Sequence, residues 1–335
     1  MSCRFEFEAI HDLERAWRLE PEWTTLWERC PGAMPFVLPD WQLASWRNFG
    51  SDCRRALVCG RIDGSLVGVA LFRERQDGEL VLEGEECSDY QDLLAEPRAR
   101  EHFAPSLIEW VRERTRTRRF SCERLPHGSA WLQMKHYLPF WSTKVELQDV
   151  CPFVPFPEGA GDLKTVVPSG FLRRVEQARR VAARNFDVCI VEADSSSWQT
   201  QLSELFRLHA ERWELRGQSG VLILPEVREF HREVVPRLLA RGRLRLLELR
   251  FDGRSAASLY ALCAPRKVAY YVGGFAPEFA RFSPGRLLLL HLFEDALRRG
   301  VTEIDFLRGV ERYKYDWGAR NRNTYRVTLQ GASSP

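Results

Sequence analysis

The 335-residue sequence predicts a mixed α/β protein built from two similar halves. Each half contains three consecutive segments of alternating apolar and polar residues, which is typical of an antiparallel meander. Asp-Gly turns join them at Asp63-Gly64, Asp77-Gly78 and Asp252-Gly253. In each half, a helical segment and one further strand follow the meander. A chain of this length can also form two domains that each bury their own core.

The first half opens with a tryptophan-rich, helical region over residues 1–50. Asp40 precedes the apolar run that starts at Trp41, so we expect it to be the N-cap of a helix. Strands are predicted over 55–62, 66–73 and 79–84, then a helix over about 100–115 and a strand over 119–124.

A polar loop, Ser88-Asp89-Tyr90, lies between this meander and its helix. Loops on a rigid scaffold are common places for substrate contacts, but they also cap and solvate helix ends. Both interpretations stay open for this loop. In the first interpretation, Ser88, Asp89 and Tyr90 bind a substrate.

The joint between the halves is the Pro- and Gly-rich segment 151–170, which we interpret as a linker. The helix predicted over 171–184 has an apolar face and an arginine-rich opposite face. Such a face is often simply solvated, and the alternative is a phosphate contact for a nucleotide-bearing donor or an RNA end. The arginines are Arg173, Arg174, Arg179, Arg180 and Arg184.

The second half repeats the plan of the first. Ser283, Pro284 at the first helical position and Gly300 beyond the end define its last long helix, predicted over 284–299. The other predicted elements are a strand over 188–192, helices over 198–216 and 225–240, meander strands over 243–251, 255–263 and 268–275, and a strand over 302–307.

The stretch from Tyr270 to Trp317 is the predicted functional centre. It places a helix start between two strands, and the first N–H groups of a helix have no partner within the helix. Such N–H groups bind anions, and phosphates in particular. The sequence therefore predicts an anion site at the Ser-Pro-Gly turn that begins this helix.

The composition excludes several classes of function. The 49 basic and 46 acidic residues give a net charge of +3, which argues against a dedicated DNA-binding protein. The nine cysteines are scattered without a Cys-x-x-Cys pair or a Cys/His cluster, so no metal site is predicted. Dispersed cysteines of odd number are typical of reduced thiols in a cytoplasm.

The apolar segments of the chain are short. Uninterrupted apolar runs, such as the four leucines at 287–290, are far shorter than the roughly 20 apolar residues that a transmembrane helix needs. The first residues lack the basic-then-apolar order of a signal peptide. We therefore expect a cytoplasmic protein without a transmembrane segment.

With these motifs together, the sequence resembles GNAT-type acyltransferases of the CelD-like branch, which is associated with cellulose or exopolysaccharide biosynthesis. It is more distantly similar to the FemABX peptidyltransferases. The matching segments are Ser88-Asp89-Tyr90, His209-x-x-Arg212-Trp213, Phe230-His231, Phe282-Ser-Pro-Gly285, and Asp305-Phe-Leu-Arg-Gly309 followed by Tyr313-Lys314 and Trp317.

The resemblance implies two tandem GNAT-like domains with a cleft between them, and transfer of an acyl group to an amine. Residues 1–150 would form the acceptor-side domain, 151–170 the linker, and 171–335 the donor-side domain. The acceptor would be the amine of a sugar, a peptide or another small molecule.

The resemblance also implies a donor site. In GNAT enzymes the phosphates of the donor are held at the start of the helix after the meander, which corresponds here to Ser283, Gly285 and Arg286, with Arg281 close by. The oxyanion is met by backbone at the end of the last meander strand, where Gly273-Gly274 would allow close approach.

The reacting groups follow from the same resemblance. The acid for the departing thiolate is expected from a Tyr just past the last strand, where Tyr313 and Tyr315 lie, with Tyr313 the leading candidate. Asp316 or Asp305 would accept the proton of the amine. Lys314 would neutralise developing charge or hold a phosphate. Arg212 and Trp213 are predicted to contact the substrate.

One departure from the family pattern leaves the donor open. The usual phosphate loop is Arg/Gln-x-x-Gly-x-Gly/Ala, whereas this chain has Phe282-Ser-Pro-Gly285-Arg-Leu287, in which only the first Gly is in register. Acetyl-CoA or another acyl-CoA is the leading co-substrate. An aminoacyl-tRNA donor, as in Fem-like enzymes, is the alternative, and a non-catalytic binding protein of a biosynthetic complex is a third hypothesis.

Overall fold

The computed structural model describes residues 4–50, 53–115, 117–138, 141–214, 217 and 220–331. Cys3 and the last two residues of the helix predicted over 198–216 lie outside these ranges. The chain forms two compact units, Met1–Asp149 with Asn323–Pro335, and Val150–Arg322. No helix within the described ranges is long and apolar enough to cross a membrane.

Unit 1 contains a meander, a helix and a parallel strand in that order. Its elements are β1 (Glu6–Ile10), α1 (Leu13–Arg18), α2 (Glu20–Glu28), α3 (Pro39–Asn48), β2 (Arg55–Ile62), β3 (Ser65–Glu74), β4 (Leu80–Leu82), β5 (Leu94–Ala95), α4 (Arg100–Arg114), β6 (Arg119–Pro126) and α5 (Met134–Tyr137). The chain passes into unit 2 within β7 (Trp141–Pro155).

Unit 2 repeats this order. Its elements are α6 (Ser169–Asn185), β8 (Val188–Glu192), α7 (Trp198–Glu214), α8 (Pro225–Ala240), β9 (Leu244–Phe251), β10 (Arg254–Ala264), β11 (Lys267–Phe275), α9 (Pro284–Arg298), β12 (Glu303–Asp305) and α10 (Arg312–Asp316). The chain returns to unit 1 within β13 (Arg320–Gly331).

The strands of unit 1 follow the order β1-β2-β3-β4-β6-β13. The first four pair antiparallel, β6 lies parallel to β4, and β13 is antiparallel to β6. α4 provides the crossover between the parallel strands, and its side chains Phe103, Leu107 and Val111 are buried in the core of this unit.

The strands of unit 2 follow the order β7-β12-β11-β10-β9-β8. β8 to β11 pair antiparallel, and β12 is parallel to β11, with α9 as the crossover. Leu288 and Phe293 of α9 and Val175 of α6 are buried in one core with the sheet. The mixed α/β fold with two copies of one plan is therefore confirmed.

Two local predictions in the first half are wrong. The region 1–50 is not all helical, because Glu6–Ile10 forms an edge strand against β2. A strand of five residues is too short to show a clear alternation of apolar and polar residues in the sequence. The strand is held in place by long-range packing, since Phe7 contacts the rings of Phe103 and Trp110. Asp40 is not the N-cap of α3, since this helix starts at Pro39 and Leu38 occupies the cap position.

Two further segments differ from the predicted organisation. Residues 151–155, interpreted as part of a linker, continue β7. Residues 323–331, assigned by the sequence to the second domain, lie in β13 and belong to unit 1. In both cases the segment becomes a strand because it pairs with a strand that is distant in the chain. A local sequence pattern does not predict such pairing.

Candidate active site

A β-bulge in β11 shapes the candidate active site. Tyr260 pairs with Val272 and Ala261 pairs with Tyr270, so Tyr271 is an extra residue without an opposite partner in β10. An extra residue reverses the alternation of side chains along a strand. Tyr270 and Gly273 consequently share one face, and a Cβ on Gly273 would lie 2.6 Å from the Tyr270 hydroxyl. Glycine at 273 is what makes room for this phenol.

Gly274 brings the next helix against the strand. A Cβ at this position would lie 2.4 Å from the backbone of Leu208 and His209 in α7. Backbone atoms cannot move aside as the end of a side chain can, so only glycine allows this approach. The close packing brings Arg212 to β11, where its Nη1 donates to the Gly273 carbonyl at 3.1 Å.

Beyond this point β11 loses its partner on the other side. β12 pairs with β11 only over Lys267–Ala269, so the two strands no longer pair where the glycines lie. A small cavity of about 30 Å³ opens there, lined by Arg212, Tyr270 and the start of α9 at Gly285. Ser258 also lines it, and the Ser258 hydroxyl has no hydrogen-bond partner among the described residues.

Two phenols meet beside this cavity. Burial raises the pKa of Tyr270, and the Arg212 guanidinium and a hydrogen bond with Tyr313 only partly offset it. Burial, reinforced by the neighbouring Tyr270 and by the Glu311 carboxylate, raises the pKa of Tyr313 far above that of a free phenol. Both phenols therefore stay protonated at neutral pH, so each holds a proton that can be donated in a hydrogen bond at the cavity.

The N-terminus of α9 forms the predicted donor side. Ser283 occupies the cap position in a left-handed conformation (φ 54°), and its side chain makes no cap hydrogen bond. The N–H groups of Arg286 and Leu287 both donate to the Ser283 carbonyl, and Pro284 has no N–H. Within this turn, the N–H of Gly285 is the one left without a backbone acceptor.

Two arginines frame this turn. Arg286 lies over the Phe171 ring at 5.5 Å and its Nη2 is 3.7 Å from the Asp316 carboxylate. Arg281 lies over the ring of Phe282 at 4.6 Å and is exposed. The residues present thus fit an anionic group through one backbone N–H and two guanidinium groups, rather than through the several N–H groups of a full phosphate loop.

The loop after β12 is held by two predicted catalytic residues. The fully buried Asp305 accepts a hydrogen bond from the Leu307 N–H at 2.7 Å, and its other oxygen lies 3.3 Å from Arg322. Lys314, also buried, donates to the carbonyls of residues 307–309 at 2.7–3.3 Å and pairs with Glu311 at 2.9 Å.

This loop carries backbone strain. Leu307 has a φ of 58°, which is costly for a bulky side chain, and such conformations persist where surrounding contacts enforce them. Asp305 and Lys314 supply those contacts and so fix the chain that leads to Tyr313. Their catalytic roles remain predictions.

The remaining predicted residues are spread over both units. Trp213 donates to the His209 ring at 2.9 Å and does not line the cavity. Ser88 and Tyr90 belong to unit 1 and are buried, with Ser88 accepting a hydrogen bond from Trp41 at 3.0 Å; Asp89 is partly exposed. A substrate contact by these three residues remains a prediction.

Sequence reasoning missed Tyr270 and Glu311. In a regular strand Tyr271, not Tyr270, would lie on the same face as Gly273. The bulge puts Tyr270 there instead, and the sequence pattern does not predict the bulge. Glu311 is about half exposed and acts on both phenols, and its only sequence signal is its place two residues before Tyr313. The described residues contain no group of three or more His, Cys, Asp or Glu side chains that could hold a metal ion.

Residues 169–315 match the family model described as an acetyltransferase (GNAT) domain. The matched segment runs from α6 to α10 and contains the bulge, the glycine pair, the start of α9 and Tyr313. The chain therefore contains a GNAT acetyltransferase domain, and the protein is an acyltransferase. No curated protein matches the whole sequence or part of it.

Solved structures support the same fold. The crystal structure of FemX superposes with a TM-score of 0.64 at 13% identity, covering 96% of both chains. The C-terminal domain of a proposed lysylphosphatidylglycerol synthetase from Agrobacterium fabrum gives 0.59 at 11% identity, over 95% of this chain and 92% of that one. L-PGS from Bacillus licheniformis superposes with a TM-score of 0.57 at 10% identity, covering 92% of this chain and 90% of that one. Identities this low establish a shared fold only.

Proposed function

We propose that this protein is an N-acyltransferase that moves an acyl group from acetyl-CoA or another acyl-CoA to an amine. The observation that carries the proposal is the pair Tyr270–Tyr313 with Arg212, next to the glycine end of β11 and the start of α9. This arrangement offers a proton donor and an anion site beside one cavity.

The proposed reaction follows from these groups. The amine nitrogen attacks the thioester carbonyl carbon, and backbone groups of β11 near Gly273 and Gly274 stabilise the resulting oxyanion. When the intermediate collapses, the C–S bond breaks and the thiolate takes a proton from Tyr313. Gly285, Arg281 and Arg286 hold the phosphates of the donor, and Arg286 exchanges Asp316 for phosphate.

The amine must lose a proton during the reaction. Asp305 is fully buried and engaged by Arg322 and the Leu307 N–H, so we propose a positioning role for it and for Lys314. We propose Glu311 as the proton acceptor. Its carboxylate is partly exposed, and it is near enough to both phenols for its charge to raise the pKa of each. Asp316 is the other candidate.

The acceptor that we propose is an amine of a sugar, a peptide or another small molecule. The resemblance to the CelD-like branch favours exopolysaccharide or cell-envelope biosynthesis. The fold shared with the lysylphosphatidylglycerol synthetase domain adds a lipid intermediate as an acceptor to test. A cytoplasmic location stays part of the proposal.

A thermal-shift experiment tests the donor. Acetyl-CoA should raise the melting temperature, and Arg286→Glu should remove that shift because it places a carboxylate at the phosphate position. Arg298→Glu, at the far end of the same helix, is the matched control and should keep the shift. A wild-type protein that shows no shift with any CoA thioester would contradict the proposal.

A second candidate donor is aminoacyl-tRNA. The exposed face of α6 carries Arg173 and Arg184, which make no ion pair with described residues, beside Arg174 and Arg180. Binding of charged tRNA should weaken steeply with salt, and Arg173→Glu with Arg184→Glu should reduce the salt slope by about two phosphate contacts. Salt-insensitive or absent binding would exclude this donor.

A further inference from the structure

Unit 1 contains a large cavity that is separate from the candidate active site. It has a volume of about 1300 Å³ and is lined by β1 to β4, the C-terminal end of α4 and the last residues of β13, all within the described part of unit 1. Ligand sites in proteins typically measure about 300–1,000 Å³, so this cavity is wide enough for a sizeable small molecule.

The floor of the cavity is apolar. Val58, Phe72, Leu80 and Val111 line it, and each of these side chains is buried in the core. Trp110, which is only partly buried, adds an aromatic surface to its wall. The floor side chains are already buried, so an apolar chain or ring that entered the cavity would remove mainly its own hydrophobic surface and that of Trp110 from water.

The rim of the cavity carries an excess of positive charge. Arg54 is exposed and makes no ion pair with described residues, whereas Arg119 pairs with Asp77. Arg114 lies over the ring of Trp110 at 4.4 Å and pairs with Glu113 at 3.4 Å. Arg118 donates from Nη1 to the backbone carbonyls of residues 112, 115 and 117. The acidic residues of the lining are Glu74 and Asp77.

The position of the cavity distinguishes it from a GNAT donor site. A donor site uses the start of the crossover helix, whereas this cavity lies at the end of α4, where Arg114 is the last helical residue. A helix C-terminus attracts cations and repels anions. The arginines are therefore needed both to satisfy this helix end and to give the rim its positive sign.

We infer that this cavity of unit 1 binds an amphipathic anion, in which a phosphate or carboxylate is attached to an apolar chain. The apolar floor takes the chain and the arginine rim takes the charge. Arg54 is the principal anion contact, because it makes no ion pair with a described residue that an anion would have to displace. The site is independent of the acyl-transfer chemistry proposed for unit 2.

Isothermal titration with decyl phosphate at low ionic strength tests this inference. We expect saturable one-to-one binding to the full chain, at least tenfold weaker binding of inorganic phosphate, and no binding of decyltrimethylammonium. Equal binding of the cationic probe would overturn the anionic class. Equal binding of inorganic phosphate would overturn the amphipathic class.

Two variants and a control locate the site. Ala56→Trp places an indole in the cavity and should abolish binding, while Arg54→Glu reverses the sign of the rim and should weaken binding at least tenfold. Arg18→Glu changes another exposed arginine of unit 1 and should bind as wild type. If Ala56→Trp lowers the melting temperature, its loss of binding is not counted, and the binding of the surface variant Arg54→Glu alone tests the proposed site. Unchanged binding by the Arg54→Glu protein, or none by the wild type, overturns the proposal.

Discussion

The two units share one topology but differ at the end of the last meander strand, which we call the corner (Glu83 after β4 in unit 1, and Tyr271–Gly274 of β11 in unit 2). In unit 1, the residue after the last meander strand is Glu83, which is buried and paired with Arg55 at 2.7 Å. Ser45 donates to the same carboxylate at 2.8 Å. In unit 2, the last meander strand ends with a bulge and two glycines, and a cavity opens beside them.

The crossover helices differ in the same sense. α4 starts after Ala99 without a side-chain cap, and Pro105 lies inside it. α9 starts after the left-handed Ser283 with Pro284-Gly285, and two arginines frame its first turn. A buried ion pair closes the corner in unit 1, and small residues open it in unit 2. The comparison shows that the shared topology is compatible with an active site in either unit. A few side chains at the corner determine that the candidate site forms in unit 2.

The largest effect is expected from breaking the closed corner of unit 1. Glu83→Ala leaves the Arg55 guanidinium buried without its carboxylate, which should cost about 3–5 kcal/mol of unfolding free energy. Urea unfolding measures it. Glu14→Ala removes a carboxylate that is 77% exposed, and should cost less than about 1 kcal/mol. Similar losses for both variants would contradict the closed-corner interpretation.

The next largest effect concerns chemistry in the open corner. Tyr313→Phe removes the proposed proton donor and keeps the ring that packs edge-on to Phe306. We expect kcat to fall by about 100-fold or more, with the melting temperature nearly unchanged. Tyr315→Phe is the control, since that hydroxyl lies at the surface and donates to Asn321 at 2.8 Å. A kcat within about threefold of wild type would remove Tyr313 from the mechanism.

A smaller effect is expected at the glycine that brings α7 to β11. Gly274→Ala places a Cβ 2.4 Å from helix backbone, so α7 and Arg212 must shift. Overpacking of this kind costs about 1–3 kcal/mol, and thermal unfolding with a donor-binding assay measures both consequences. Gly161→Ala, where nothing lies within 4 Å, should leave stability and binding unchanged. Equal behaviour of the two variants would refute the packing argument.

The smallest effect is a difference in pH dependence between the units. Burial raises the pKa of Asp92 in unit 1 to about 6, so the folded state holds its proton more tightly and stability falls as pH rises from about 4 to 6. Burial lowers the pKa of His209 in unit 2 to about 4, so stability rises with pH between about 4 and 6.5.

The two residues thus give slopes of opposite sign, each on the order of 1 kcal/mol or more across the window. Melting temperatures at pH 4, 5, 6 and 7 should show that Asp92→Asn reduces the fall and that His209→Gln reduces the rise. The rest of the rise belongs to His231, whose pKa burial lowers to about 3. Gln can still accept from Trp213, so His209→Gln keeps that hydrogen bond. Parallel pH profiles of both variants and the wild type would exclude these two groups.

Much of the fold could be predicted because its signals are local. The Asp63-Gly64 and Asp252-Gly253 turns have positive φ at both residues, as tight hairpins require, and Pro284 and Gly300 bound α9 as expected. The candidate site was predicted in part. Gly273, Gly274 and Tyr313 meet at one cavity or beside it, whereas Tyr270 depended on a bulge that changes the side-chain period.

The sequence by itself determined the two meander–helix–strand repeats, the turn that starts α9 and the resemblance to an acyltransferase, because periodicity, turn residues and motifs depend on near neighbours. Only the tertiary structure decided that Glu6–Ile10 and Asn323–Gly331 extend unit 1, that Asp305 and Lys314 are buried supports of a strained loop, and that Tyr270 faces Tyr313. These outcomes depend on contacts between residues far apart in the chain, whose energies no local pattern contains.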